Sequence, residues 1–249
     1  MGGLPLGSAI VCGRVVTTWS AARLASYFGA VPSDEVDLDA QDTARYNVAP
    51  TSWLFAIRDD LDGVRRLDRL RWGLIPRWAR DTSGASKMIN ARAENLGDRP
   101  SYRPLLARHR CVVPIDGFYE WGPEHRPRYV HGRVAQPLEI AGLWTTWRDP
   151  QGRDVRSCTL LTAEAFDALT PVHHRMPVAL SRQDRDAWLA HEPLHPDEIT
   201  EIVERGRREA ATTWQWHEVS RAVNKVGIDG PELIEPVAPE PQQTQLFGD

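Results

Sequence analysis

Lysine is almost missing from this chain. Of 30 basic side chains only Lys87 and Lys225 are lysine, so 28 are arginine. Cysteine is scarce: Cys12, Cys111 and Cys158 make an odd number with no close pair. That excludes a disulfide framework and a Cys-only zinc site. No apolar run approaches the ~18 residues that a membrane helix needs. Residues 1–11 carry no charged side chain, so a secretory signal with a basic leading region is excluded. Leu6 stands where a myristoylation signal needs Ser or Thr. There is no internal repeat. The expectation is a cytoplasmic chain with no membrane segment. What remains is ordinary for a globular protein of 249 residues, 41% hydrophobic and 26% charged, with one large domain or two small ones.

The net charge of −4 argues against a nucleic-acid partner only until it is sorted by segment. Glu232, Glu235, Glu240 and Asp249 fall in residues 231–249, which hold no basic residue. Asp34, Glu35, Asp37, Asp39 and Asp42 fall in 33–42, again with none. Without these nine acids the body carries 30 basic against 25 acidic side chains. Local field matters more to a phosphate than the total. The arginine excess reads two ways, as the mark of a GC-rich coding genome or as a choice for bidentate phosphate contacts. Ten tryptophans are the other excess, and those not in the core are candidate platforms for stacked bases.

The pattern predicts a short amphipathic helix over 20–28 closed by Gly29. Strands are expected at 53–58 and 65–72, joined by a turn at Asp62-Gly63. Residues 100–110 read as helical. Strands rich in β-branched and aromatic residues follow at 111–115, 118–121, 138–147, 158–162 and 177–180. Ser181 with Asp184 resembles a capping box, Pro196 opens a helix to about 209, and 214–219 alternates as a last strand. With no βαβ rhythm, the expected class is α+β: a mainly antiparallel, barrel-like sheet flanked by short helices. The acidic stretch reads as a solvated loop, and the proline-bearing end from Pro231 as an extended tail.

Several residues have the chemistry of a site beside a plain structural reading. Cys12 is either a buried apolar cysteine or a nucleophile. At the head of a chain it would present an amine and a thiol on adjacent carbons. Such a pair condenses with aldehydes to a five-membered thiazolidine, with both groups titrating near neutrality, at about 8 and about 8.5. Asn90 is a turn residue or a positioning amide. Glu120, between Tyr119 and Trp121, is either an outward, solvated strand residue or a desolvated acid/base group. His173 and His174 are structural or act in proton transfer, and Arg175 beside them can bind a phosphate. Trp78, flanked by Arg77 and Arg80, is a core residue or a stacking platform. No third ligand has the spacing for a zinc site.

In order along the chain stand Cys12-Gly13-Arg14, Arg45-Tyr46-Asn47-Val48-Ala49-Pro50, Trp72-Gly73-Leu74-Ile75-Pro76 and Ile89-Asn90-Ala91-Arg92-Ala93-Glu94. Gly117-Phe118-Tyr119-Glu120-Trp121, His173-His174-Arg175-Met176-Pro177 and Val219-Ser220-Arg221-Ala222-Val223-Asn224 follow. This series resembles the SRAP family, the SOS response-associated peptidases or abasic-site processing proteins, over 12–237. The resemblance implies recognition of abasic sites in single-stranded DNA and a covalent thiazolidine crosslink through an N-terminal cysteine. It further implies weak lyase activity through a Schiff base, with no metal or organic cofactor and a monomeric state. By motif match Cys12 is the nucleophile, Asn90 positions the amine or sugar, and Glu120 and His173 move protons. Arg14, Arg92 and Arg175 grip phosphates, while Asn47, Pro50, Trp78, Trp121 and Thr162 line the DNA groove.

The departure from the family is at the front. Eleven residues precede Cys12, so its nitrogen is in a peptide bond. Two readings are open: a true start at the Val11 codon, or removal of residues 1–11 as a propeptide. In the tail (238–249), Gln243, Leu246 and Phe247 resemble the motif that binds the bacterial sliding clamp, so the replication clamp is an expected partner. The competing functional classes are a cysteine-dependent peptidase using Cys12, His173 and Glu120, and a non-catalytic reader of modified bases.

Overall fold

The structure is a computed structural model, and it describes residues 12–38, 44–122, 125–166 and 168–237. The expected leader (1–11) and clamp-binding tail (238–249) lie outside these residues, as do Asp39 and Asp42 of the acidic stretch.

Thirteen strands and three α-helices are present among the described residues. In chain order they begin with β1 (Arg14–Thr17), α1 (Ala21–Phe28), β2 (Val31–Pro32), β3 (Arg45–Val48), β4 (Trp53–Asp59), β5 (Arg65–Trp72) and β6 (Asn90–Arg92). The middle holds β7 (Arg110–Ile115), β8 (Gly117–Trp121), β9 (Pro127–Gly132), β10 (Leu138–Arg148) and β11 (Asp154–Glu164). The last are β12 (Arg175–Pro177), α2 (Arg182–Leu189), α3 (Pro196–Thr213) and β13 (Trp214–Glu218).

The expected α+β class holds. β11, β10, β7, β4 and β5 pair antiparallel in that order, and a parallel pairing of Ser157 and Cys158 with Arg71 and Trp72 closes β5 back onto β11. The result is a five-stranded barrel. Closure removes the edges that would otherwise expose unpaired N–H and C=O groups. Both faces of its strands are covered. Leu54, Leu70, Trp72, Cys111, Val113, Ile140, Cys158 and Leu160 share one buried cluster. Ile57, Leu67, Val112, Ala141, Leu143 and Leu161 share another with Leu24 and Phe28 of α1 and Trp188 of α2. That is why 111–115 and much of 138–147 do not alternate between apolar and polar residues. A second sheet, in the order β13-β9-β8-β1-β3, packs Val15, Val48, Phe118, Val130 and Trp214 into the first cluster.

Local signals worked where a side chain closes a backbone bond. Ser20 Oγ accepts from Arg23 N, and Gly29 adopts φ 62 to end α1. Ser181 Oγ accepts from Asp184 N at 3.1 Å, but the carboxylate returns to the Ser181 hydroxyl at 2.7 Å rather than to its backbone. α3 opens at Pro196 and continues to Thr213, past the expected 209, behind a His195/Glu198 capping box. Three expectations fail. The end from Pro231 is not extended through 237: Pro231–Ile234 form a 3-10 turn that buries Leu233 beside Tyr119 and Val223, and Pro236 bridges to Val219. Residues 100–110 hold only a 3-10 turn, Arg103–Leu105. A helix begun at Pro100 needs the N–H that Pro104 lacks. Arg110 is also buried, donating to the carbonyls of Leu106, Ala107, Trp188, Ala190 and Glu192, and it begins β7 instead. The strand expected at 177–180 is Arg175–Pro177; beyond it Val178 wedges between β10 and β11, donating to Leu161 O and accepting from Ala141 N.

Gly206 on α3 sets a close approach. A Cβ there would lie 2.1 Å from Ala179 O. Glycine to alanine inside a helix ordinarily stabilises by about 0.5–1 kcal/mol. Here the sign reverses: Gly206→Ala is expected to destabilise by about 1–3 kcal/mol through overpacking, read as a lower urea midpoint at unchanged m-value.

Candidate active site

The site forms where β1 and β8 lie side by side. Arg14, Val15 and Val16 pair with Tyr119, Phe118 and Gly117, so continuing the ladder sets Gly13 against Glu120. Gly117 is required at the start of β8, since a Cβ there would meet the Tyr129 ring and Val130 O at 2.5 Å. Strand alternation then turns Phe118 and Glu120 inward and Tyr119 outward, where it packs with Val16 and Tyr129.

Glu120 is therefore the inward, desolvated residue and not a solvated one: it is 2% exposed. Its Oε1 accepts from the backbone nitrogen of Cys12 at 2.5 Å. Burial pushes its carboxyl up to about 8, against the opposing pull of the Cys12 and Trp121 N–H groups. Cys12 is wholly buried and holds a left-handed φ of 47. Burial raises its thiol well above the ordinary value, and Glu120 raises it further. The resting sulfur is a thiol, not a thiolate.

Cys12 shares one apolar cluster with Ile89, next to Asn90, and Val172, next to His173. Asn90 opens β6, pairing parallel with Leu160 of β11, and the Trp72 indole donates to Ile89 O at 3.1 Å behind it. His173 is half-buried and stacks on His174 at 4.3 Å. Its Nδ1 lies 3.0 Å from Arg175 N and 3.2 Å from Arg175 O, accepting from the first in one tautomer and donating to the second in the other. Nε2 is buried with no partner among the described residues. Burial lowers the His173 pKa, and the neighbouring His174 adds to it, so the ring is held toward its neutral form.

The expected DNA contacts divide. Trp78 is 72% exposed, Arg92 is exposed, and Pro50 and Trp121 are half-buried. Asn47 and Thr162 lie behind the surface instead, 7% and 1% exposed. The Asn47 amide donates to the carbonyls of Val223, Lys225 and Ile228, and its Oδ1 accepts from Arg14 at 2.7 Å. Arg14 also donates to Val223 O, and Trp121 Nε1 to Asn224 Oδ1. The 219–224 motif is thus a wall tied to β1, β3 and β8. Arg175 is held by both oxygens of Glu94 and by Thr162 O, so a phosphate there competes with a carboxylate. Sequence reasoning gave Glu94 no role and missed Arg128. Arg128 pairs across from Glu120, donates to Pro171 O at 2.7 Å beside the His173 loop, and lies over the Trp216 ring. An arginine in an ordinary strand pattern carries no signal for this. No group of three His, Cys, Asp or Glu able to hold a metal occurs among the described residues.

Fold and site together define a small β-barrel protein with a buried cysteine–glutamate pair opening beside arginine and tryptophan. Residues 11–226 match the family described as SOS response associated peptidase (SRAP), and the chain belongs to that family. Its relatives include the Bacillus subtilis protein named abasic site processing protein YoqW, 37% identical over 194 residues, 76% of this chain and 85% of that one. The Escherichia coli protein named abasic site processing protein YedK is 29% identical over 230 residues, 91% of this chain and all of that one. A crystal structure from Bacteroides thetaiotaomicron shares the fold, with a TM-score of 0.78 at 22% identity over 91% of this chain and all of that one.

A carboxyl raised from 4.5 to about 8 keeps in the folded state a proton that the unfolded chain has released. Its stability contribution is complete below about pH 4.5 and is lost as pH rises through about 8. Urea unfolding at intervals across that window is expected to show falling stability, and Glu120→Gln is expected to flatten the profile.

Proposed function

We propose that this protein traps abasic sites in single-stranded DNA as a covalent thiazolidine through Cys12. The contact that carries this reading is the 2.5 Å hydrogen bond from the Cys12 nitrogen to Glu120, inside a pocket that keeps the carboxyl protonatable near neutrality. The family membership and the names of the relatives support the DNA lesion as substrate.

The chemistry runs on the nitrogen first, because the thiol is held protonated. With Cys12 at the head of the chain, its amine adds to the aldehyde carbon of the ring-opened sugar. The carbinolamine loses one water to give an imine, with Glu120 as the acid that protonates the departing hydroxyl. Sulfur then adds to the imine carbon as the thiol proton passes to nitrogen, and the five-membered ring closes. His173 assists opening of the sugar by proton transfer, and Asn90 positions the reacting groups. Elimination from the imine gives a weak lyase side reaction. Arg14, Arg92 and Arg175 hold phosphates, with Pro50, Trp78 and Trp121 along the strand. In the tail, Gln243, Leu246 and Phe247 tether the protein to the sliding clamp.

The reaction requires residues 1–11 to be absent, by translation from the Val11 codon or by cleavage. Where cleavage removes them, water adds to the Val11 carbonyl and Glu120 protonates the departing Cys12 nitrogen, so the same acid serves self-processing.

The test mixes protein beginning at Cys12 with single-stranded DNA bearing one abasic site, followed by a denaturing gel. A shifted band is expected that Cys12→Ala abolishes and that Glu120→Gln slows by about 100-fold or more. Reversible binding that survives Cys12→Ala, with no covalent band, would overturn the reading in favour of a base reader. Cleavage of unrelated peptides without a band would favour a peptidase.

A further inference from the structure

The β4–β5 hairpin separates its arginines into two groups. Arg58, Arg65 and Arg66 each meet an aspartate: Asp68 at 2.5 Å, Asp59 at 3.1 Å and Asp60 at 2.7 Å. Arg69 and Arg71, farther along the same strand, meet no carboxylate among the described residues. Arg71 Nη1 is buried without a hydrogen-bond partner, and burial alone lowers its pKa. An arginine left half-buried and unpaired is costly unless something anionic arrives.

The partners across the ladder are aromatic. Trp53 pairs with Arg71 and Phe55 with Arg69. α1 packs Leu24 and Phe28 over the next rung, Ile57 with Leu67, and Phe55 leans into that cluster. Trp53 lies past the cover and is 42% exposed. Successive rungs on one face stand about 7 Å apart. A flat ring beside cations at that repeat is the arrangement on which splayed bases stack while their phosphates are neutralised.

The rung also lies between two expected DNA contacts. Trp53 is three residues beyond Pro50, whose neighbour Thr51 donates to Trp72 O at 2.7 Å. On the other side Arg71 pairs with Ser157, whose hydroxyl accepts from Ile75 N and so seats the segment leading to Trp78 over the same face.

We infer that Trp53, Arg69 and Arg71 form a second contact for the single strand, with one base stacked on Trp53 and the flanking phosphates on the two arginines. It extends the strand path from Pro50 toward Trp78 and rests on the DNA reading above. Its occupant is nucleic acid rather than an acidic protein segment because an exposed ring accompanies the cations.

The test uses the full chain, fluorescence anisotropy and a labelled 20-nucleotide oligo-dT without a lesion. Trp53→Ala with Arg71→Gln is expected to weaken binding about tenfold. Arg69→Gln with Arg71→Gln is expected to make the salt dependence of log K shallower by about 1.4, at about 0.7 per phosphate on a single strand. Trp53→Phe restores affinity if stacking is the contact, and an unchanged melting temperature shows that each variant folds. Crosslinking of a five-nucleotide abasic strand by protein beginning at Cys12 reads the active site separately and is expected to be unchanged. Wild-type affinity in the folded variants overturns this inference while leaving the crosslinking reading standing. Loss of poly-glutamate binding with oligo-dT binding unchanged overturns it in favour of an acidic protein partner. A chain that binds no oligo-dT at all overturns both.

Discussion

A carboxyl group is costly to bury among hydrocarbon without donors, and here the donors are the N–H groups of Cys12 and Trp121. Glu120 faces the cluster that joins the barrel to the five-stranded sheet, and the Cys12 N–H meets it at 2.5 Å. This bond ties Cys12 to β8. It holds a non-glycine residue at φ 47, a conformation costing of order 1–2 kcal/mol, which the surrounding packing sustains. It also determines the protonation of the site, since burial keeps both Glu120 and the Cys12 thiol in their neutral forms near neutrality.

The remaining elements hold that bond in register. Gly117 lets β9 approach β8 closely enough for Glu120 to turn inward. Asn47 and Arg14 fasten the 219–224 wall over the outside of the same strands. β11 lies between β6 and β12 where Thr162 pairs with Arg92 on one side and Pro177 on the other. This gathers Asn90 and the His173–Arg175 turn at one end of the barrel. A displacement of any of these strands would reach Glu120 through shared ladders rather than through its own contacts.

The strands and helices whose sequences carry their own boundaries were legible. α1 has Ser20 and Gly29, the β4–β5 hairpin has Asp62-Gly63, and β7, β8 and β10 are rich in β-branched and aromatic residues. β9 was not legible, because Arg128 and His131 interrupt its pattern with groups whose partners lie on β13 and in the His173 loop. β6 and β12 have three residues each and exist only because β11 is there to pair with. For the candidate site, ordered motifs named Cys12, Asn90, Glu120 and His173, but not which residues present groups and which support them. Asn47 and Thr162 have groove-like chemistry and lie behind the groove. Glu94, an unremarkable acid in a motif, occupies the guanidinium of Arg175.

The same distinction explains why net charge is a poor guide to this protein. Most of its ion-paired arginines serve the fold: Arg185 closes on Glu139, Arg205 on Asp184, and Arg58 and Arg156 share Asp68. Counting them as a basic surface overstates the attraction for phosphate, just as counting the acids of 33–42 and 231–249 understates it. What a polyanion meets is the residue left after pairing, and that residue is local. Arg92 is exposed at the mouth of the site, and Arg69 and Arg71 lie beside Trp53. Arginine suits both duties because its planar fork can bridge a carboxylate inside the fold or a phosphate outside it. A chain with 28 arginines and two lysines can therefore be acidic overall and still offer cations where a strand would lie.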